Sequence, residues 1–172
     1  VITGLGYAFV STNNSVSATI HRTLIKLFYR IASRKIRIIA QNPDDLIDLG
    51  VENGAVILGS GVKSIDTVVK DESELSSIRL LYVGRLLKSK GILTALEIFE
   101  QLQSMNSNVS LTLAGIIDVD NPDSITEAEL LQLRNKEGVS YLGFIRNMEP
   151  VYKNCNVLLF PSIYREGVPR VI

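Results

Sequence analysis

The chain has 172 residues, 46% of them apolar and 21% charged, with one cysteine, one histidine and a formal net charge of zero. That composition supplies a core and excludes whole-chain disorder. The single cysteine, Cys155, excludes an intrachain disulfide and every C-x-x-C site, which fits a reducing compartment, while the single histidine, His21, excludes multi-histidine zinc sites and leaves a Ser-His-Asp triad only one base.

Charge is unevenly placed. Residues 1–40 carry Arg22, Lys26, Arg30, Arg34, Lys35 and Arg37 with no acid, and residues 41–172 hold all 18 acids against the remaining 12 bases. In chain order, Thr3-Gly4-Leu5-Gly6-Tyr7 opens as a glycine turn, but Phe9 stands where a third dinucleotide-binding glycine would be and no acid follows about 20 positions on. A helix is predicted over Ser17–Arg34, where Arg22, Lys26, Arg30 and Arg34 step by four beside an apolar stripe of Ile20, Leu24, Leu27, Phe28 and Ile31. Such a helix suits an anionic lipid surface; the alternative is a surface helix with solvated cations. Strands are predicted at Arg37–Gln41 and Ala55–Leu58. Gly59-Ser60-Gly61 and the polar stretch Lys63–Ser77 then read as a hinge and linker. Strands at Ile78–Val83, Val109–Ala114, Val139–Leu142 and Asn156–Phe160 alternate with helical spacing over Ser89–Ser104, Ser124–Lys136 and Asn147–Asn154. The fold class is α/β: a Rossmann-like parallel sheet with helices on both faces. The expected division is residues 1–58, a linker at 59–77 and a second unit at 78–172. With no initiating methionine and an end at Ile172 inside an apolar stretch, the expectation is a fragment of a longer protein.

The chemistry gathers where strands end. After Leu80-Leu81-Tyr82-Val83 come Gly84, Arg85, Lys88, Lys90 and Gly91, so a buried strand leads through glycine into three cations before a helix. Strand ends in open α/β sheets bind ligands, and helix starts favour anions, so a phosphate-bearing ligand is expected there. The spacing is not that of a Walker A loop. The alternative is a basic connecting loop in solvent. Leu158-Leu159-Phe160-Pro161-Ser162 again ends a strand, and Arg165-Glu166-Gly167-Val168-Pro169-Arg170 sets one acid beside a glycine before a further helix.

Val83-Gly84-Arg85-Leu86 with Lys90-Gly91, and Pro161-Ser162 with Arg165 to Arg170, resemble the carboxy-terminal domain of glycosyltransferase family 4. Gly59-Ser60-Gly61-Val62, Gly115 and Tyr141-Leu142-Gly143-Phe144 fall in the same order. Gly4-Leu5-Gly6-Tyr7 and Gln41-Asn42-Pro43-Asp44-Asp45 resemble the end of such enzymes' amino-terminal domain. The resemblance implies the GT-B fold and a retaining hexosyl transfer from a UDP- or GDP-sugar to a growing glycan or lipid-linked saccharide, as in bacterial surface polysaccharide, lipopolysaccharide or capsule synthesis. It implies that Arg85 and Lys90 hold the donor diphosphate, that Glu166 contacts the donor sugar, and that the backbones of Gly61, Gly84, Gly115, Gly167 and Val168 approach the donor. Phe144 and Ile145 would meet the nucleobase, with ordinary core packing as the alternative; Glu166 could instead be a helix-start acid. The family's second glutamate would fall at position 174, beyond Ile172. No resident cofactor, metal or nucleic acid is implied. The expected location is cytoplasmic, at the inner face of the plasma membrane if helix 20–35 binds lipid, and the 172 residues alone are expected to be inactive. The rival class is a non-catalytic anion- or membrane-binding α/β module.

Three smaller signals compete. Asp118-Val119-Asp120 spells D-x-D, a metal–diphosphate pattern of another fold, but beside Asn121-Pro122-Asp123 it reads first as a solvated acidic loop. His21 is expected to have no catalytic role. Cys155, Met148 and Tyr152 read as packing residues.

Overall fold

The computed structural model describes residues 1, 2, 5, 9, 15–59, 61, 77–105, 108–163 and 169. It divides into two compact units, Val1–Lys63 with Tyr164–Ile172, and Ser64–Ile163. Most of the expected linker, residues 60 and 62–76, lies outside the described residues.

In the first unit, helix α1 (Val16–Ala32) begins where the Ser15 hydroxyl accepts from the Ala18 amide at 3.1 Å. Strands β1 (Ile38–Ala40) and β2 (Gly54–Val56) pair in parallel, Ile38 opposite Gly54 and Ala40 opposite Val56. Ile2 bridges the other side of β1, its amide donating to the Ile39 carbonyl at 2.7 Å. Between the strands runs α2 (Pro43–Leu49), capped by Asn42, whose side chain accepts from the Asp44 amide at 2.8 Å. The core here is small: Ile2, Ile38, Ala40 and Leu49, with Ile25 and Tyr29 of α1 packed against it. Both strands are shorter than predicted.

The second unit holds β3 (Ile78–Val83), β4 (Val109–Ala114), β5 (Val139–Gly143) and β6 (Val157–Leu159). Among the described residues they form one parallel sheet in the order β5-β4-β3-β6. From β3 the chain winds outward through α3 (Ile92–Met105) to β4 and through α4 (Glu127–Arg134) to β5. Helix α5 (Glu149–Asn154) then returns it to β6, on the other side of β3. The winding therefore reverses between β3 and β6, the kind of crevice in which open α/β sheets bind ligands. Alternation along β3 serves both faces. Leu80 and Tyr82 pack with Leu111, Leu113, Ile92 and Phe99, while Leu81 and Val83 pack with Ala114, Met148, Val151, Tyr152 and Cys155. Burial pushes the Tyr152 phenol above its ordinary value. The parallel sheet with helices on both faces agrees with the sequence reading, and so does the packing of Cys155, Met148 and Tyr152.

Helix ends differ from expectation for local reasons. The predicted helix 89–104 is interrupted at Gly91, whose φ of 78° separates a single 3-10 turn, Lys88–Lys90, from α3. The predicted helix 124–136 starts only after Thr126, because Ser124 is taken by an antiparallel bridge to Leu87.

Candidate active site

The site is built where β3, β4 and β5 run out. The Gly84 amide donates to the Ala114 carbonyl at 3.0 Å and the Gly115 amide to the Gly143 carbonyl at 2.8 Å, so pairing continues past the strand ends. Gly84 and Gly115 lie so close that a Cβ on Gly115 would stand 1.7 Å from the Gly84 carbonyl oxygen. The absent side chains leave a pocket of ≈ 310 Å³, lined by Gly84, Arg85, Gly115, Ile116, Phe144, Ile145 and neighbours. Phe144 is 73% exposed at its edge, which corrects the core reading for that residue; Ile145 is half-buried in the lining. Open apolar walls with one cation suit a flat ring carrying an anionic tail.

Arg85 is held at both ends. The hydroxyl of buried Tyr82 donates to the Arg85 carbonyl at 2.9 Å. Its guanidinium Nη1 donates to Asp118 Oδ2 at 2.7 Å, with the Arg85 side chain 54% exposed. That bond uses one of five N–H donors and leaves the rest for a ligand.

Lys90 is half-buried on the 3-10 turn and is not among the pocket's lining residues. Its turn meets the second segment singled out in the sequence. A Cβ on Gly91 would stand 2.3 Å from the Pro161 carbonyl oxygen, and the Ile163 amide donates to the Ser89 carbonyl at 3.0 Å. The cationic turn and the Pro161-Ser162 loop thus join at the reversal between β3 and β6. Asp123 holds the same turn from the other side. It accepts from the Ser89 amide at 2.9 Å and from the Ser89 hydroxyl, and its own carbonyl accepts from the Lys88 amide at 2.9 Å.

The solvated-loop reading of 118–123 holds for Val119, Asp120 and Pro122, which are exposed, and is corrected for Asp118 and Asp123, whose carboxylates are bonded to Arg85 and Ser89. Asp118 is occupied by Arg85, its amide donates to Ser124 Oγ at 3.0 Å, and only Asp120 of the D-x-D pair is exposed. Among the described residues, no group of three or more His, Cys, Asp or Glu side chains converges as a metal site. Sequence reasoning missed Tyr82, Ser89 and Asp123 as supports; the Asn121-Pro122-Asp123 turn was visible, but not its partners 34 residues earlier. Gly61 lies in the first unit. Glu166, Gly167 and Val168 lie outside the described residues. His21 is exposed on α1, its Nδ1 donating to the Ser17 carbonyl at 2.9 Å.

The family model for glycosyl transferases group 1 matches residues 65–172. The chain belongs to this family. The capsular polysaccharide biosynthesis glycosyltransferase CapM of Staphylococcus aureus is 34% identical over 90 residues, 52% of this chain and 23% of CapM. Ribosomal RNA large subunit methyltransferase H of Enterococcus faecalis is 33% identical over 75 residues, 44% of this chain and 45% of that protein. Among solved structures, TarM superposes with a TM-score of 0.64 and 16% identity over 92% of this chain and 30% of its own. HepE of Anabaena in complex with UDP-glucose gives 0.60 and 19% over 91% of this chain and 47% of its own. These two matches show the GT-B fold, in agreement with the family model. This group 1 chain spans less than half the length of each of these four proteins.

Proposed function

We propose that the protein works as a retaining glycosyltransferase that moves a hexose, or a derivative of one, from a UDP- or GDP-sugar to a growing glycan or lipid-linked saccharide in surface polysaccharide synthesis. The observation that carries this reading is a guanidinium set at the mouth of an apolar pocket whose floor is bare glycine backbone. HepE is described with UDP-glucose and CapM by capsular polysaccharide biosynthesis, which supports the donor class and the setting.

In this reading the base lies against Phe144 and Ile145, and the diphosphate reaches past Gly84 toward Arg85 and Lys90. When the bond from the anomeric carbon to the diphosphate oxygen breaks, its electron pair stays on the phosphate. Fixed cations and backbone N–H groups then stabilise the growing charge without reorganising. Glu166 contacts the donor sugar, and the backbones of Gly61, Gly167 and Val168 approach the donor. No metal or resident cofactor takes part.

Calorimetric titration with UDP and GDP tests the assignment. One nucleotide should bind in preference, and Arg85→Ala should weaken it about 10- to 100-fold, the value of a charge-assisted contact of ~1.5–3 kcal/mol. Binding that ignores the base and follows salt alone would instead establish the anion-binding module.

A lipid contact on the cytoplasmic side suits a lipid-linked acceptor. α1 packs Ala18, Ile25 and Tyr29 inward and leaves Ile20, Leu24, Leu27, Phe28 and Ile31 more than half exposed, with Lys26 and Arg30 beside them and no acid in the helix. Apolar depth flanked by cations fits anionic lipid. Sedimentation with anionic and with neutral vesicles at low salt should pull down the protein only with the first; equal binding to both would remove the idea.

A further inference from the structure

We propose that the loop between β4 and α4 is an acidic brace, in which Asp118 and Asp123 are positioning residues that hold Arg85 and the Lys88–Gly91 turn in place for the donor diphosphate. This rests on the glycosyl-transfer reading for the identity of the ligand. The brace itself stands on bonds within the second unit.

The connections after β3 and β4 are zipped together. The Leu86 amide donates to the Ile116 carbonyl at 2.9 Å, the Ile125 amide to the Leu86 carbonyl at 3.0 Å, and the Ser124 hydroxyl to that same carbonyl at 3.3 Å. Two carboxylates on this zipper are spent on the two cationic elements. Asp118 takes Nη1 of Arg85, and Asp123 takes the amide and hydroxyl of Ser89, the residue between Lys88 and Lys90. Ser89 is only 7% exposed, so its bonds to Asp123 form where water competes poorly. Asp118 is itself pinned by its amide on Ser124 Oγ.

A long side chain that is free in solvent must lose its rotamer freedom on binding an anion. One already anchored by a carboxylate has lost most of it beforehand. Asp118 leaves the other guanidinium N–H groups to meet an incoming phosphate. The opposite role is an anion that competes with the ligand for Arg85. The two roles predict opposite signs, because removing a brace weakens diphosphate binding whereas removing a competitor strengthens it.

The test is titration of the protein and its Asp118→Ala, Asp118→Glu and Asp123→Asn variants with UDP, uridine and inorganic pyrophosphate, together with amide hydrogen exchange. Asp118→Ala should weaken UDP and pyrophosphate about 10-fold with uridine unchanged, and Asp118→Glu should recover part of the loss, as expected when orientation rather than fold is removed. Asp123→Asn should weaken the same two ligands and speed exchange at the Ser89 amide, while exchange in β3 and β4 stays as in the parent. Unchanged or tighter diphosphate binding in Asp118→Ala overturns the brace, as does an equal loss of uridine and UDP. If the parent binds pyrophosphate without distinguishing UDP from it, the glycosyl-transfer reading falls and the brace is decided by the pyrophosphate ratios alone. A parent that binds none of the three ligands overturns both.

Discussion

Helices α1 and α3 carry apolar residues at the same three- and four-residue steps, yet they use them in opposite ways. α3 buries Ile92, Ala95, Leu96 and Phe99 against β3 and β4. α1 fully buries only Ala18 and turns most of its large apolar residues outward. Two phenylalanines mark the contrast: Phe99 is fully buried and Phe28 is 66% exposed. The period establishes that a helix has an apolar stripe. What the stripe faces depends on which strands stand next to it. In α3 these are the six-residue strands β3 and β4, and in α1 the neighbouring sheet has three-residue strands.

The largest effect expected from this contrast comes from those phenylalanines. Phe99→Ala should lower the stability of the second unit by about 3–5 kcal/mol through lost burial and a cavity. Phe28→Ala should change stability by less than ~0.5 kcal/mol, as an exposed site does. Urea melts of both variants, followed by hydrogen exchange in β3 and in β1, compare them directly. Comparable losses would mean that the outer face of α1 is covered in solution, and the contrast would be void.

The second comparison lies within the pocket floor. Gly115→Ala drives a methyl into the Gly84 carbonyl at a φ of 157°, so the two strand ends must part. The expected cost is about 1–3 kcal/mol, on the scale of local backbone strain, together with loss of nucleotide binding. Gly50→Ala, at the end of α2 with nothing within 4 Å of the added methyl, shares the positive φ but not the clash. It should lower stability without touching the pocket. Equal loss of nucleotide binding in both variants would show that the floor is not where the ligand sits.

The sheet was legible in the sequence because its strands are short stretches rich in Val, Ile and Leu, broken only by single residues such as Arg79, Ser110, Thr112 and Ser140, between longer stretches at helical spacing. Arg85 was legible as a site because it follows such a run and a glycine. The 3-10 turn was not, since the apolar spacing from Ser89 to Ser104 continues straight through Gly91 and only its φ reveals the break. Phe144 follows Tyr141 and Leu142 closely enough to look like core; its exposure depends on the chain leaving β5 at Gly143, at a φ of 66°. Asp118 and Asp123 were the least legible. Their partners lie 33 and 34 residues back, a separation set by sheet register and carried by no local pattern.

The smallest effect expected concerns the start of α4, the crossover between β4 and β5. Thr126 and Glu129 form a reciprocal cap: Thr126 Oγ1 accepts from the Glu129 amide at 3.2 Å, and Glu129 Oε2 accepts from the Thr126 amide at 2.6 Å. Thr126→Ala should destabilise the second unit by about 1 kcal/mol. The bonds from Thr126 hold the Glu129 carboxyl below the usual glutamate value. A group whose folded pKa is depressed contributes stability above its unfolded pKa and loses it as pH falls through the folded one. The contribution of Glu129 is therefore complete at neutral pH, begins to fade near the unfolded glutamate value of ~4.3, and is gone below the folded value. Melts of the parent and of Glu129→Gln between neutral and acid pH should differ at pH 7 and converge as the acid limit is reached. A gap that stays constant across that range would mean that the helix start is held by Thr126 alone and that the carboxylate charge adds nothing to it.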